Sequence, residues 1–125
     1  MDWTKIYESR VTSAQEAVKA VQSNSRIFLT GNVSVPQKLL SALADYAPNL
    51  SDVEIVQALT IGPADYVKPE LAGHLRVNTM FISANVRKAV QSGQADFTPV
   101  LLSEFPLLFK RGILPLDAAL IHVSP

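Results

Sequence analysis

Apolar and polar residues along this chain recur in short blocks that switch between two periods. Ala14, Ala17, Val18 and Val21 fall at helical spacing. Ser13 with Glu16 three residues on forms a capping box, so a helix is predicted from Ser13 through about Val21. Arg26-Ile27-Phe28-Leu29-Thr30 is a run of strand length, rich in β-formers, that stops at Gly31-Asn32-Val33-Ser34-Val35-Pro36. Gln37 to Ala47 returns to helical spacing, with Leu39, Leu40, Leu43 and Tyr46 as the inward stripe and Pro48-Asn49 as its end. Val53 to Leu59 predicts a second strand, broken by Ile61-Gly62-Pro63. Ala64 to Gly73 reads as loop, with one helical turn at Pro69. Leu75 to Ile82 alternates and predicts a third strand.

The stretch from Asn85 to Pro106 repeats this grammar in miniature. A short helix has Val86, Ala89 and Val90 on one face, with Arg87 and Lys88 pointing away. Gly93 follows the last periodic residue, where a left-handed cap favours a residue without a Cβ. Asp96 to Val100 is extended, because the residue before Pro99 is pushed out of the α region. Ser103 and Glu104 ahead of Phe105-Pro106 predict a helix to about Lys110, with the serine as its cap. Asp117 to Val123 is a nearly continuous apolar run, predicted as a buried final strand.

Strands apolar on both faces and alternating with helices predict an α/β fold. The expected form is one domain over residues 1–125, a mainly parallel sheet with helices on both faces. The packing residues of the helices should be Val18, Val21, Leu39, Leu43, Val86 and Val90. Trp3 and Tyr7, one helical turn apart, are expected to pack.

Composition narrows the function. Apolar residues make up 48% of the chain and charged residues 18%, below the usual level of about 25%. That balance predicts an exterior partly covered by something else, with an apolar patch near Gly31, Gly62 and Pro99. Net charge is zero, so neither nucleic acid nor an anionic membrane is an expected partner. Cysteine is absent, which excludes disulfides and thiolate chemistry. The amino terminus has no cationic flank before an apolar run, and no run reaches the roughly 18 residues of a membrane span. A soluble, cytoplasmic protein is the expectation. A final strand ending at Ser124-Pro125 also reads as the first half of something longer.

Candidate chemistry lies at the carboxyl ends of the strands, where ligands bind in open α/β sheets. Gly31, Asn32, Ser34 and Pro36 form a strand-to-helix loop, with Ser34 placed to cap and Pro36 at the first helical position. Such a loop is either an anion or oxyanion cradle or an ordinary connection. Thr60, Gly62 and Pro63 follow the second strand as a turn or a ligand contact. Pro99, Ser103 and Glu104 follow the fourth segment, and helix capping explains the last two better than a catalytic carboxylate beside a hydroxyl does. His74 and His122 have no partner at metal-ligand spacing, so no metal is expected.

A longer set of residues carries a resemblance. Its specific block is Arg87-x-Ala89-Val90-x-x-Gly93-x-Ala95-Asp96-Phe97-x-Pro99-x-x-Leu102-Ser103-Glu104. Flanking it are Trp3-x-x-x-Tyr7, Ser13-x-x-Glu16-Ala17-Val18, Gly31-x-x-x-x-Pro36-x-x-Leu39, Gly62-Pro63, Phe81 and Asp117-x-Ala119-Leu120-Ile121-x-Val123-Ser124-Pro125. Together these resemble the amino-terminal half of the acetyl-CoA hydrolase/transferase family, which includes 4-hydroxybutyrate CoA-transferases. The resemblance implies a two-domain α/β protein with its active site between the halves. It implies a coenzyme A thioester as substrate, a small carboxylic acid as acceptor, no tightly bound cofactor and a homo-oligomer. The nucleophile it implies is a glutamate in the carboxyl-terminal half, on no residue of this chain. The candidate residues above would then line the cleft. Many members have a further glycine in the first loop and a glutamate before its proline, where this chain has Asn32, Val33, Ser34 and Val35. Acyl-CoA hydrolysis and a non-catalytic partner module of the same fold are the alternatives that this departure leaves open.

Overall fold

A computed structural model describes residues 2–124, so the Pro125 that closes the resemblance lies outside the described residues. Five strands form one all-parallel sheet: β1 (Arg26–Leu29), β2 (Val53–Gln57), β3 (Leu75–Thr79), β4 (Asp96–Phe97) and β5 (Ala118–Leu120). Their order across the sheet is 4-3-2-1-5. The predicted α/β class is therefore the fold observed.

This order fixes where the helices go. The chain steps from β1 through β4 in one direction, then returns across the sheet to place β5 beside β1. Right-handed crossovers running in opposite directions lie on opposite faces. Accordingly α2 (Ala14–Ala17), α3 (Gln37–Tyr46) and α4 (Arg87–Gln91) share one face, and α5 (Phe105–Lys110) takes the other. On the first face Val18, Leu40, Leu43, Ile27, Leu29, Val53, Ile55 and Val77 form the main core. Each such side chain contributes about 1.5–3 kcal/mol by leaving water. On the second face Phe28, Phe105 and Phe109 cluster with ring centroids 5.2–6.1 Å apart, Phe109 edge-on to both of the others, beside Val56 and Met80.

That second face is only half covered. Running from the start of β1 to the end of β4 it bears a polar ladder in place of a core. Arg26 pairs with Glu54, Asn78 donates to Glu54 at 2.9 Å, and Thr98 donates to Asn78 at 2.8 Å. The strands are thus not apolar on both faces throughout.

The expected helix contacts at Val18, Val21, Leu43 and Val86 are buried, and Leu39 and Val90 are partly buried against the same core. Gly93 has the left-handed φ of +78°. Gln94 N–H reaches Ala89 O at 2.8 Å and Gly93 N–H reaches Val90 O at 3.1 Å, the paired bonds of a Schellman cap. Ser13 Oγ accepts from Glu16 N–H at 3.2 Å, so half of the capping box forms; the Glu16 carboxylate turns to Lys19 instead. The helix it opens passes into a 3-10 turn at Val18–Ala20.

Five expectations are corrected. Trp3 and Tyr7 do not pack: α1 (Trp3–Arg10) buries no residue, and the two are 71% and 70% exposed. The final strand is no buried central strand. It is a three-residue edge pairing only with β1, because the return crossover sets it outside, and Ile121 and Val123 are 54% and 70% exposed. Ser34 does not cap α3, whose N-cap position is Pro36; its carbonyl instead accepts from Thr30 Oγ1 at 2.6 Å, folding the loop back on β1. Ser103 does not cap α5 either, since a turn closed by Glu104 N–H on Leu101 O leads into Phe105 and puts Glu104 at the cap position. Between β2 and β3 lie two 3-10 turns, Asp65–Val67 and Pro69–Leu71, where one turn was expected.

Candidate functional site

All five strands run parallel, so their carboxyl ends and the loops that follow share one edge of the sheet. The reversal of direction between β1 and β5 makes a topological switch point, the place where open α/β sheets bind ligands. Thr30 stands there. Its hydroxyl holds Ser34 O and accepts from His122 N–H at 3.2 Å, which ties the loop after β1 to the segment after β5.

Next to Thr30, Gly31 passes so close to β2 that a Cβ on it would stand 2.3 Å from Leu59 O. Glycine is required by that contact. Asn32 adopts a left-handed φ of +53°, which asparagine tolerates, and sends its N–H to Leu59 O at 2.7 Å while bridging Thr60. Gly62, at φ +103°, abuts Gln37, whose side chain donates to Ile61 O at 2.9 Å. Gly31, Asn32, Thr60 and Gly62 are therefore brought together, with the start of α3 against them. Pro36 is buried beneath, and Pro63 lines a shallow concavity of 200 Å³ with Gln37, Leu40 and Tyr66.

Below this layer runs a buried polar chain that pattern reading did not anticipate. Tyr66 OH donates to Gln57 Oε1 at 3.0 Å, and Gln57 Nε2 donates to Thr60 Oγ1 at 3.1 Å. Thr60 Oγ1 lies 3.4 Å from Ser83 Oγ, which donates to Asn85 Oδ1 at 2.7 Å. Asn85 Nδ2 then donates to Gly62 O at 3.1 Å. Burial is the main cause that pushes the Tyr66 phenol above its usual range, with the Thr60 and Gln57 contacts opposing it. Signals for the chain existed in the sequence: a glutamine interrupting an apolar strand, and an asparagine just ahead of a helix.

Pro99, Ser103 and Glu104 lie apart from that cluster. They are exposed on the connection from edge strand β4 to α5, and among the described residues neither Ser103 nor Glu104 has a side-chain hydrogen bond to it. Thr98 anchors the connection, its N–H on Thr79 O at 3.1 Å.

What the edge presents outward is apolar. Val33 follows β1, Ile61 follows β2, Phe81 follows β3, Leu101 and Leu102 follow β4, and Ile121 and Val123 follow β5; all are exposed, Val33 at 87% and Leu102 at 81%. The larger concavities, 380 and 390 Å³, lie at the opposite end of the sheet around Asn24, Ser25 and Asp117. They are open polar hollows among turn residues, and the switch-point rule gives the carboxyl edge the stronger claim. No helix among the described residues is long and apolar enough to cross a membrane.

Fold and edge together define a parallel α/β domain whose loops at the carboxyl ends of the strands carry exposed apolar side chains. Residues 1–125 match the acetyl-CoA hydrolase/transferase N-terminal domain, and the chain belongs to that family. It is 38% identical to a 4-hydroxybutyrate coenzyme A transferase of Clostridium kluyveri over 99% of this chain and 29% of that protein. Among solved structures, RipA from Yersinia pestis superposes with a TM-score of 0.85 at 25% identity, over 100% of this chain and 31% of that one. A 4-hydroxybutyrate CoA-transferase from Porphyromonas gingivalis shares the fold, with a TM-score of 0.72 at 24% identity over 96% of this chain and 26% of that one. The chain spans less than a third of the length of each of these relatives.

Proposed function

We propose that this chain is the amino-terminal domain of an acyl-CoA:carboxylate CoA-transferase and that its carboxyl-edge loops form one wall of the active-site cleft. The observation that carries this reading is the row of exposed apolar side chains on the loops at one end of the sheet, in a chain under a third as long as its relatives. Exposed apolar patches of this kind mark surfaces that a partner covers. The partner is the carboxyl-terminal half, which supplies the glutamate nucleophile.

The chemistry follows from the substrates that the relatives' names imply. A glutamate carboxylate oxygen attacks the thioester carbonyl, the C–S bond breaks, and CoA leaves as its thiolate. The product is an acyl-glutamyl anhydride. The thiolate then attacks the glutamyl carbonyl, releasing the first acid and leaving a glutamyl-CoA thioester. An acceptor carboxylate runs the two steps in reverse. Covalent catalysis thereby divides one difficult exchange into easier ones. With water as acceptor the same site hydrolyses acyl-CoA.

This chain's contribution is position. Gly31, Asn32, Ser34 and Pro36 shape the loop at the switch point; Thr60, Gly62 and Pro63 shape its neighbour. Pro99, Ser103 and Glu104 belong to the outer wall, with Glu104 acting as a charge at the start of α5. A misplacement of about 1 Å in such a wall can cost roughly 100-fold in rate.

The test incubates the 125-residue chain with acetyl-CoA and butyrate, alone and with the carboxyl-terminal segment of the Clostridium kluyveri relative, then traps with borohydride or hydroxylamine. Alone, the chain should acquire no label. With the segment, exchange should appear and the label should sit on a carboxylate of that segment. Label on a carboxylate of this chain by itself would overturn the assignment.

A further inference from the structure

We propose that Thr60 is a positioning residue whose single hydroxyl locks the loops after β2 and β3 into one body, so that Ile61 and Phe81 are presented to the covering partner at a fixed spacing. The idea that a partner covers this edge rests on the reading above; the lock itself does not.

Proton counting supports the lock. Gln57 uses both ends of its amide, accepting from Tyr66 and donating to Thr60, so its orientation has no freedom left. Ser83 spends its one proton on Asn85 Oδ1. Thr60 Oγ1 accepts from the Gln57 amide and also lies 3.3 Å from Tyr66 OH and 3.2 Å from Asn85 Nδ2, while its own proton reaches toward Ser83 Oγ at 3.4 Å or Asn85 Oδ1 at 3.3 Å. Asn85 closes the circuit by donating to Gly62 O, two residues past Thr60. A hydroxyl at position 60 can accept from one side of this network and donate to the other, which a methyl group cannot do. Among the described residues every buried side-chain polar atom is satisfied, so removing the Thr60 hydroxyl orphans the Gln57 amide N–H beneath one loop and takes a contact from Ser83 and Asn85 on the other.

The two loops carry Ile61 and Phe81, exposed at the ends of adjacent strands β2 and β3 near the middle of the edge. Neither is held by packing of its own. Their relative placement rests on the hydroxyl circuit under them together with Thr79, whose hydroxyl lies 2.9 Å from Ala58 O and 2.7 Å from Phe81 O.

The experiment is amide hydrogen exchange on the 125-residue chain, comparing wild type, Thr60→Val, Thr60→Ser and Asn85→Ala. Thr60→Val should speed exchange of segments 58–63 and 80–86 together by about tenfold or more, with the Val53–Ile55 strand amides unchanged. Thr60→Ser should restore both segments, and Asn85→Ala should loosen both. Loosening of one segment alone, equal loosening throughout the sheet, or failure of serine to rescue would each overturn the proposal. Should Thr60→Val not fold, the serine and Asn85→Ala variants decide alone. A chain that shows the lock yet supports no CoA exchange would refute the functional reading and leave the lock standing.

Discussion

Replacing Gly31 by alanine tests whether the loop at the switch point is as tightly held as its geometry implies. The new Cβ would stand 2.3 Å from Leu59 O, more than an ångström short of ordinary contact, and that oxygen belongs to backbone. No side chain can swing aside, so the two loops must part. Overpacking of this kind costs about 1–3 kcal/mol. Parting also stretches the 2.7 Å bond from Asn32 N–H to the same oxygen, for about a further 1 kcal/mol. A loss of about 2–4 kcal/mol is therefore expected, a large share of a typical stability of about 5–15 kcal/mol. For a domain of this size the melting temperature should fall by about 6–16 °C. Gly93→Ala is the control. Its Cβ meets nothing within 4 Å, so only the left-handed φ of +78° opposes it, at about 1 kcal/mol. Urea denaturation followed by circular dichroism, with thermal melts alongside, measures both. If Gly31→Ala falls within about 0.5 kcal/mol of wild type, or proves milder than Gly93→Ala, the close-approach account is wrong.

Two further outcomes follow from the fold. Leu43→Ala, at a wholly buried site between α3 and the sheet, should cost about 2–5 kcal/mol in the same urea assay, whereas Leu102→Ala at the exposed edge should change stability by about 0.5 kcal/mol or less. The Arg76 side chain bonds Asp96 and holds its carboxyl below the usual carboxylate range. A lowered pKa contributes stability above the unfolded-state value near 3.8 that is lost as pH falls through the folded-state value. Both groups are about half exposed, so Asp96→Asn should remove no more than about 1 kcal/mol at neutral pH, and salt should shrink the difference.

The fold was legible because its signals are local. Strand runs at Ile27, Ile55 and Val77, the helical stripe at Leu40 and Leu43, and the left-handed stop at Gly93 each read from a few neighbouring residues. What was not legible depends on crossover direction. Nothing near Ala118 tells that its strand lies at an edge; only the return from β4 to β1 decides it, and exposure of Ile121 and Val123 follows. The same holds for the caps. Ser34 and Ser103 stand where caps are common, but a loop bond from Thr30 Oγ1 to Ser34 O and a turn at Leu101 decided otherwise. In the candidate site the loops were legible from Gly31 and Gly62. The circuit joining Tyr66, Gln57, Ser83 and Asn85 was not, since it gathers four segments that share no spacing.

The return crossover also has a kinetic side. β5 joins β1 across 91 residues, the separation of Asp117 from the Arg26 N–H that its carboxylate accepts. At about 5–20 residues per second, a ribosome needs roughly 5–20 s between the two. Through that interval β2 can already pair with β1 and β3 with β2, while the other side of β1 stays an open ladder of unpaired amides and carbonyls. The nascent domain is therefore open to strand-on-strand aggregation until Ala118–Leu120 emerges, and that short strand seals this side of β1.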